Sequence, residues 1–205
     1  MPLLKLENNK ESTLLLWELN EDKDFFSTLI PENIYNYIIA HNRLNKRILE
    51  KLSQVVLLAS AGIDYSKLYY SPNGKPLLQH TDNISFSHSG NISALLISKE
   101  NCGLDLELAS EKIIRISPKF INENEASIID TNENIYWAWT IKEAVFKYFG
   151  ERVLFKDHIK IIAIQEELNK AIVHYNGFHG VGEFELSIMR IKNYYLAFTK
   201  TYSPK

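Results

Sequence analysis

The 205-residue chain has a single cysteine, Cys102. That excludes an intrachain disulfide and any multi-cysteine zinc site. Long apolar runs are also lacking, so no segment is long enough to span a bilayer. The start, Met1-Pro2-Leu3-Leu4-Lys5, has no signal-peptide pattern. Charge of one sign is not in excess. Lys plus Arg total 23 against 25 for Asp plus Glu, a net charge of −2, which leaves no electrostatic footprint for nucleic acid. Gly-x-x-x-x-Gly-Lys-Ser/Thr does not occur, which argues against a P-loop enzyme. These absences lead us to expect a cytoplasmic monomer that engages neither nucleic acid nor membrane.

Apolar material is plentiful, with 45% hydrophobic and 12% aromatic residues. That suffices for a sizeable core in one large or two small domains. Leu14–Leu19 reads as a strand. Pro31 to about Ala61 reads as one long helix, with apolar positions at Ile34, Ile38, Leu44, Ile48, Leu52 and Val55. Short strands are expected near Leu68–Tyr70, Ile84–Phe86 and Ile92–Ser98. The second half opens with a strand at Cys102–Leu108. Ser117-Pro118 is a helix-start signal, and Asn122-x-x-Glu125 is another, before Ala126–Ile129. A helix over Trp139–Lys147 ends near Gly150. Strands recur at Ile159–Gln165, Ala171–Tyr175, Gly182–Ile191 and Tyr194–Thr199, with a turn at Asn176-Gly177. Periodicity alone gives only an α+β chain; its coarse organisation gives two similar halves, 1–101 and 102–205.

Two segments carry most of the chemistry. In Gly103-Leu104-Asp105-Leu106-Glu107, a strand would point Asp105 and Glu107 to one face. In Trp139-Thr140-Ile141-Lys142-Glu143-Ala144-Val145-Phe146-Lys147, a helix would place Glu143 and Lys147 on one face. Three converging carboxylates make a hard-cation site, and a neighbouring lysine suits phosphate. Taken singly, the strand carboxylates read as a solvated edge and Glu143 with Lys147 as a helix ion pair. Thr140-x-x-Glu143 also fits a capping box, which would make Glu143 structural. Upstream, Asn73-Gly74-Lys75-Pro76 signals a turn that presents Lys75 outward. Ser87-His88-Ser89-Gly90 gathers several donors before a glycine that permits close ligand approach.

The order Gly-Lys-Pro, Phe-Ser-His-Ser, Gly-Leu-Asp-Leu-Glu and Trp-x-x-Lys-Glu-Ala-x-x-Lys, spanning residues 74 to 147, resembles the 4′-phosphopantetheinyl transferase superfamily of the surfactin-synthetase-activator type. That resemblance implies a pseudo-dimer of two similar α+β halves with a coenzyme cleft between them. It also implies an activity: transfer of the 4′-phosphopantetheine arm of coenzyme A to a serine of an apo acyl or peptidyl carrier protein, with Mg²⁺, releasing 3′,5′-ADP. By motif, Asp105, Glu107 and Glu143 would hold Mg²⁺ against the coenzyme pyrophosphate. Lys147 would neutralise the pyrophosphate and could protonate the leaving group. His88 with Ser87 would contact the 3′-phosphate, and Gly74, Lys75 and Pro76 would line the adenine side. The base is either Glu143 itself or a metal-bound water. Lys142 belongs to the motif without an assigned role.

The chain departs from the family pattern at one place. Arg47 precedes Glu50-Lys51-Leu52 as expected, but Val55 stands where a second arginine is usual. The 3′-phosphate clamp would then lean on Arg43, Lys46 or Arg47. Lys112, Arg115 and Lys119 are candidates for meeting an acidic carrier. The alternative from another class is a non-catalytic carrier-protein or nucleotide-binding module derived from such a transferase.

Overall fold

Continuous apolar runs in the first hundred residues build an antiparallel sheet whose central strands, Ser12–Glu18 and Ile92–Ser98, are buried on both faces. The computed structural model describes residues 3–8, 11–79 and 82–205. Met1 and Pro2, where the stretch read for a signal peptide begins, lie outside them. The chain divides into two units. One runs to Ser71 and resumes over Pro76–Glu100; the other comprises Pro72–Lys75 and Asn101–Lys205.

In the first unit the strands are β1 (Leu3–Asn8), β2 (Ser12–Glu18), β3 (Leu68–Tyr70), β4 (Pro76–Leu78), β5 (Asn83–Ser89) and β6 (Ile92–Ser98). Four of them form a sheet in the order β1-β2-β6-β5, while β3 and β4 pair separately. The helices are α1 (Lys23–Phe26, one turn), α2 (Glu32–His41) and α3 (Asn45–Ser60). The expected single helix over 31–61 is thus two. Asn42 and Leu44 take extended backbone, and the Asn42 amide donates to the Ile38 carbonyl at 2.8 Å. That side chain satisfies a carbonyl the helix would otherwise have continued to use. The core joins Leu15, Trp17, Phe26, Ile38, Leu52, Val55 and Leu95.

In the second unit the strands are β7 (Leu104–Leu108), β8 (Ile159–Gln165), β9 (Lys170–Gly177), β10 (Gly180–Ile191) and β11 (Tyr194–Pro204). The helices are α4 (Glu111–Ile116), α5 (Asn132–Phe149) and α6 (Phe155–His158). The sheet order is β7-β11-β10-β9-β8, antiparallel throughout. Helix α5 lies against β7 and β11. It begins where Thr131 accepts from the Asn134 amide and ends at Gly150 in the left-handed region, φ 82°, the usual stop for which glycine carries no Cβ penalty.

Each unit is a mix of helix and antiparallel sheet, in keeping with the α+β expectation. Two local readings are corrected. Ser117-Pro118 starts only a 3₁₀ turn, Ser117–Lys119, that follows α4. Asn122 and Glu125 do form a reciprocal capping box, but on another 3₁₀ turn, Glu123–Glu125, with no helix over Ala126–Ile129. No helix among the described residues is long and apolar enough to cross a membrane.

Candidate active site

Trp139, Glu143 and Lys147 follow one another at four-residue intervals, so α5 presents them as a stripe along one face. Facing them are Asp105 and Glu107, two apart on β7. The Lys147 ammonium donates to Asp105 Oδ1 at 2.6 Å. The Trp139 indole N–H donates to Glu107 Oε1 at 3.0 Å. Asp105 pairs with Lys147 and Glu107 with Trp139, so helix and strand run in opposite senses and Glu143 falls between the two strand carboxylates along the stripe.

Asp105 is 3% exposed. That removes the reading of it as a solvated strand edge. Thr140 sits in mid-helix, its hydroxyl donating to the Tyr136 carbonyl at 2.9 Å, so the capping-box reading of Glu143 is also removed. The Glu143 carboxyl is pushed up to about 7, first by burial and then by the charge of Asp105, with Lys147 opposing and Glu107 adding a smaller push. Glu143 therefore feels the charge of both strand carboxylates.

Such a donor set, oxygen-only and mutually repulsive, suits a hard divalent cation chemically. Its arrangement here is a hydrogen-bonded one. Among the described residues no group of three or more His, Cys, Asp and Glu side chains is gathered as ligands for one metal ion.

Glycine and alanine set the distance between strand and helix. A Cβ on Gly103 would lie 2.0 Å from the Ala144 oxygen and 2.6 Å from the Tyr148 nitrogen. The backbones touch, which brings the side chains of α5 within hydrogen-bonding reach of Asp105 and Glu107.

Lys142, next to Glu143 in sequence, points the other way. Its ammonium is wholly buried. It donates to Glu125 Oε2 at 2.7 Å and to the carbonyls of Phe120, Ile159 and Phe155 at 2.7, 2.9 and 3.1 Å. Burial pulls its pKa down while Glu125 opposes. Glu125 also takes the Ile161 amide at 2.7 Å. This motif lysine is a structural anchor, fixing α5 to the turns and strand beneath it.

In the first unit, His88 Nε2 bonds to Glu50 Oε1, and Arg47 bonds to Glu50 Oε2 at 3.0 Å. Glu50 is buried and gathers both candidate phosphate contacts on one carboxylate. His88 lies opposite Ser93 on β6, and Ser93 shares a 2.7 Å bond with Ser53 of α3. Ser87 is the preceding strand residue, so its side chain faces away from His88. Val55 is buried in the apolar core, where a phosphate contact is not possible. Arg43 and Lys46 are exposed.

Sequence reasoning passed over Lys51. It donates to the Tyr70 hydroxyl at 2.8 Å and to Gln54 at 3.3 Å, and lies 4.7 Å from the Tyr70 ring centroid. Burial and the nearby Arg47 charge lower its pKa. Its signal was its place one turn beyond Arg47.

The turn lysine, Lys75, does not point outward. Its ammonium donates to Asn101 Oδ1 at 2.7 Å and to the Tyr148 carbonyl. Cys102 is 1% exposed with its thiol pushed up to about 12 by burial, the small buried hydrophobe expected.

Residues 101–199 match the model of the 4′-phosphopantetheinyl transferase superfamily. The chain is also 30% identical over 110 residues to a protein of Aneurinibacillus migulanus named 4′-phosphopantetheinyl transferase gsp. That match covers 51% of this chain and 45% of the relative, so it spans less than half of the relative's length. The resemblance of this chain to the superfamily, read from its motifs, is borne out. The matched segment contains the whole Asp105, Glu107, Glu143 and Lys147 constellation.

Proposed function

We propose that this protein is a phosphopantetheinyl transferase, moving the 4′-phosphopantetheine arm of coenzyme A to a serine of an apo acyl or peptidyl carrier protein. The observation that carries the reading is the meeting of the β7 carboxylates with the α5 stripe, inside the segment that matches the superfamily. The family description and the relative's name support phosphopantetheinyl transfer in general. The pairing of two halves around a coenzyme cleft rests on the resemblance; the division at residues 101 and 102, a monomeric state and a cytoplasmic setting rest on the sequence reading, and all are part of the proposal.

In this reading Asp105, Glu107 and Glu143 would hold Mg²⁺. When bound, that ion would neutralise charge on the pyrophosphate and on the departing 3′,5′-ADP. The chain's own groups do the remaining work. The carrier serine oxygen forms a bond to the coenzyme β-phosphorus as the bond to 3′,5′-ADP breaks. Glu143, directly or through water, receives the hydroxyl proton. Lys147 leaves Asp105 to meet the pyrophosphate and follows the charge onto the leaving group, an interaction that strengthens in the transition state.

His88 and Arg47, oriented through Glu50, would hold the 3′-phosphate, while Ser87, on the opposite face of the strand, would not. Lys51 supplies the cation that Val55 does not. Gly74 and Pro76 would line the adenine side; Lys75, turned inward to Asn101 and Tyr148, would not.

Steady-state kinetics on an apo carrier protein test this. Lys147→Met should lower turnover on the order of 10²-fold while changing the coenzyme A constant little. Unchanged turnover with a raised constant would reduce Lys147 to a ground-state binder.

A further inference from the structure

The geometry points to Lys75 as a positioning residue that locks the helix of Glu143 and Lys147 against the strand of Asp105 and Glu107. The inference rests on the transferase reading for its functional consequence, and on the second unit alone for its structure.

The last carbonyls of a helix have no intrahelical partner. Tyr148, one residue from the end of α5, has its carbonyl taken by two side chains: the Lys75 ammonium and the Asn101 amide, the latter at 2.8 Å. The Asn101 Oδ1 in turn accepts from Lys75 at 2.7 Å and from the Cys102 backbone amide at 3.1 Å. Asn101 therefore ties the residues leading into β7 to the end of α5, and Lys75 closes the ring. A cation at this end also complements the helix dipole.

The surroundings are shaped for this lysine. A Cβ on Gly150 would lie 2.9 Å from Lys75 Cδ, so the glycine that ends α5 also makes room for the lysine stem. The ammonium lies 5.8 Å from the Tyr148 ring centroid. Next to Lys75, Asn73 donates to Glu151 Oε2 at 2.8 Å, a second tie from the same turn to the residues just past the helix. A lysine drawn inward like this is desolvated, which lowers its pKa. Four residues of the first half of the sequence, Pro72–Lys75, thus belong to the second unit.

The functional consequence follows from position. Lys147 precedes Tyr148 directly, and Glu143 is one turn further back. Strand register and helix rotation at this end decide whether Asp105, Glu107, Glu143 and Lys147 meet. Small misplacements of catalytic groups cost rate rather than ground-state affinity.

Lys75→Met and Asn101→Ala, singly and together, test the lock by two readouts. In transfer assays each should lower kcat on the order of ten- to hundredfold, with the coenzyme A KM within about twofold of wild type and the double variant no worse than the worse single. Hydrogen exchange at residues 146–150 should quicken in each variant. A raised coenzyme A KM with kcat intact, or unchanged exchange, would overturn the inference. If the unaltered protein transfers nothing, the transferase reading fails, and exchange alone still decides for or against the lock. Lys75→Gln carries the same comparison if Lys75→Met does not fold.

Discussion

Gly103 and Ala144 meet backbone to backbone: a Cβ added to Gly103 would come within 2.0 Å of the Ala144 oxygen. No rotamer change relieves such a clash, because both neighbouring atoms are main chain. The glycine sets the spacing of β7 and α5, and with it the reach of Lys147 to Asp105 and of Trp139 to Glu107.

Gly103→Ala should therefore destabilise the protein by about 3 kcal/mol or more, at the upper end for overpacking. Urea unfolding measures it. A loss under about 1 kcal/mol would show that strand and helix can separate freely.

Lys142→Met should be at least as damaging. It strands the Glu125 carboxylate, which is fully buried. Breaking a buried pair from one side costs about 3–5 kcal/mol. Adding Glu125→Gln should recover part of that loss, as judged by denaturant midpoints. No recovery would mean that Lys142 acts through its carbonyl contacts alone.

The spacing of the motifs showed the carboxylates and Lys147 because two-residue and four-residue repeats have direct geometric meaning on strand and helix. The same logic misjudged Thr140-x-x-Glu143, since a capping box is defined by where a helix starts, and α5 starts at Asn132. The break at Asn42 carried no glycine or proline to announce it. Lys75 looked like an outward turn lysine because the Asn101 and Tyr148 groups that draw it in are remote in sequence. His88 was visible as a donor, but its anchor Glu50 could be placed beside it only by the packing of α3 on the sheet. Gly103 was read as part of a motif, and its contact with Ala144 depends on tertiary structure.

The Glu143 pKa, raised from 4.5 to about 7, gives metal-free stability a definite pH dependence. The folded state holds this proton more tightly than the unfolded chain. Below about 4.5 both hold it, so stability is unaffected there. As pH rises toward 7 the unfolded chain has already released the proton, so stability falls, on the order of 1–3 kcal/mol in all. Above 7 the loss is complete. Thermal melts from pH 4 to 8 should show this decline, Glu143→Gln should flatten it, and Mg²⁺ should restore stability at pH 8. An equal decline in the Gln variant would place the cause elsewhere.

His88→Ala should weaken coenzyme A about tenfold, as loss of a charge-assisted hydrogen bond implies, and 3′-dephospho-coenzyme A far less. Lys51→Met should show the same selectivity. Calorimetric titration with both ligands separates the cases. Equal losses for the two would mean that neither residue meets the 3′-phosphate.

The most direct test is intact mass spectrometry of an apo carrier protein incubated with this protein, coenzyme A and Mg²⁺. The account predicts a gain of one phosphopantetheine on the carrier serine, abolished by Asp105→Ala in a variant that remains folded. A carrier whose mass never changes across several acyl and peptidyl carriers, while the folded protein still binds coenzyme A, would contradict it and leave a non-catalytic binding module.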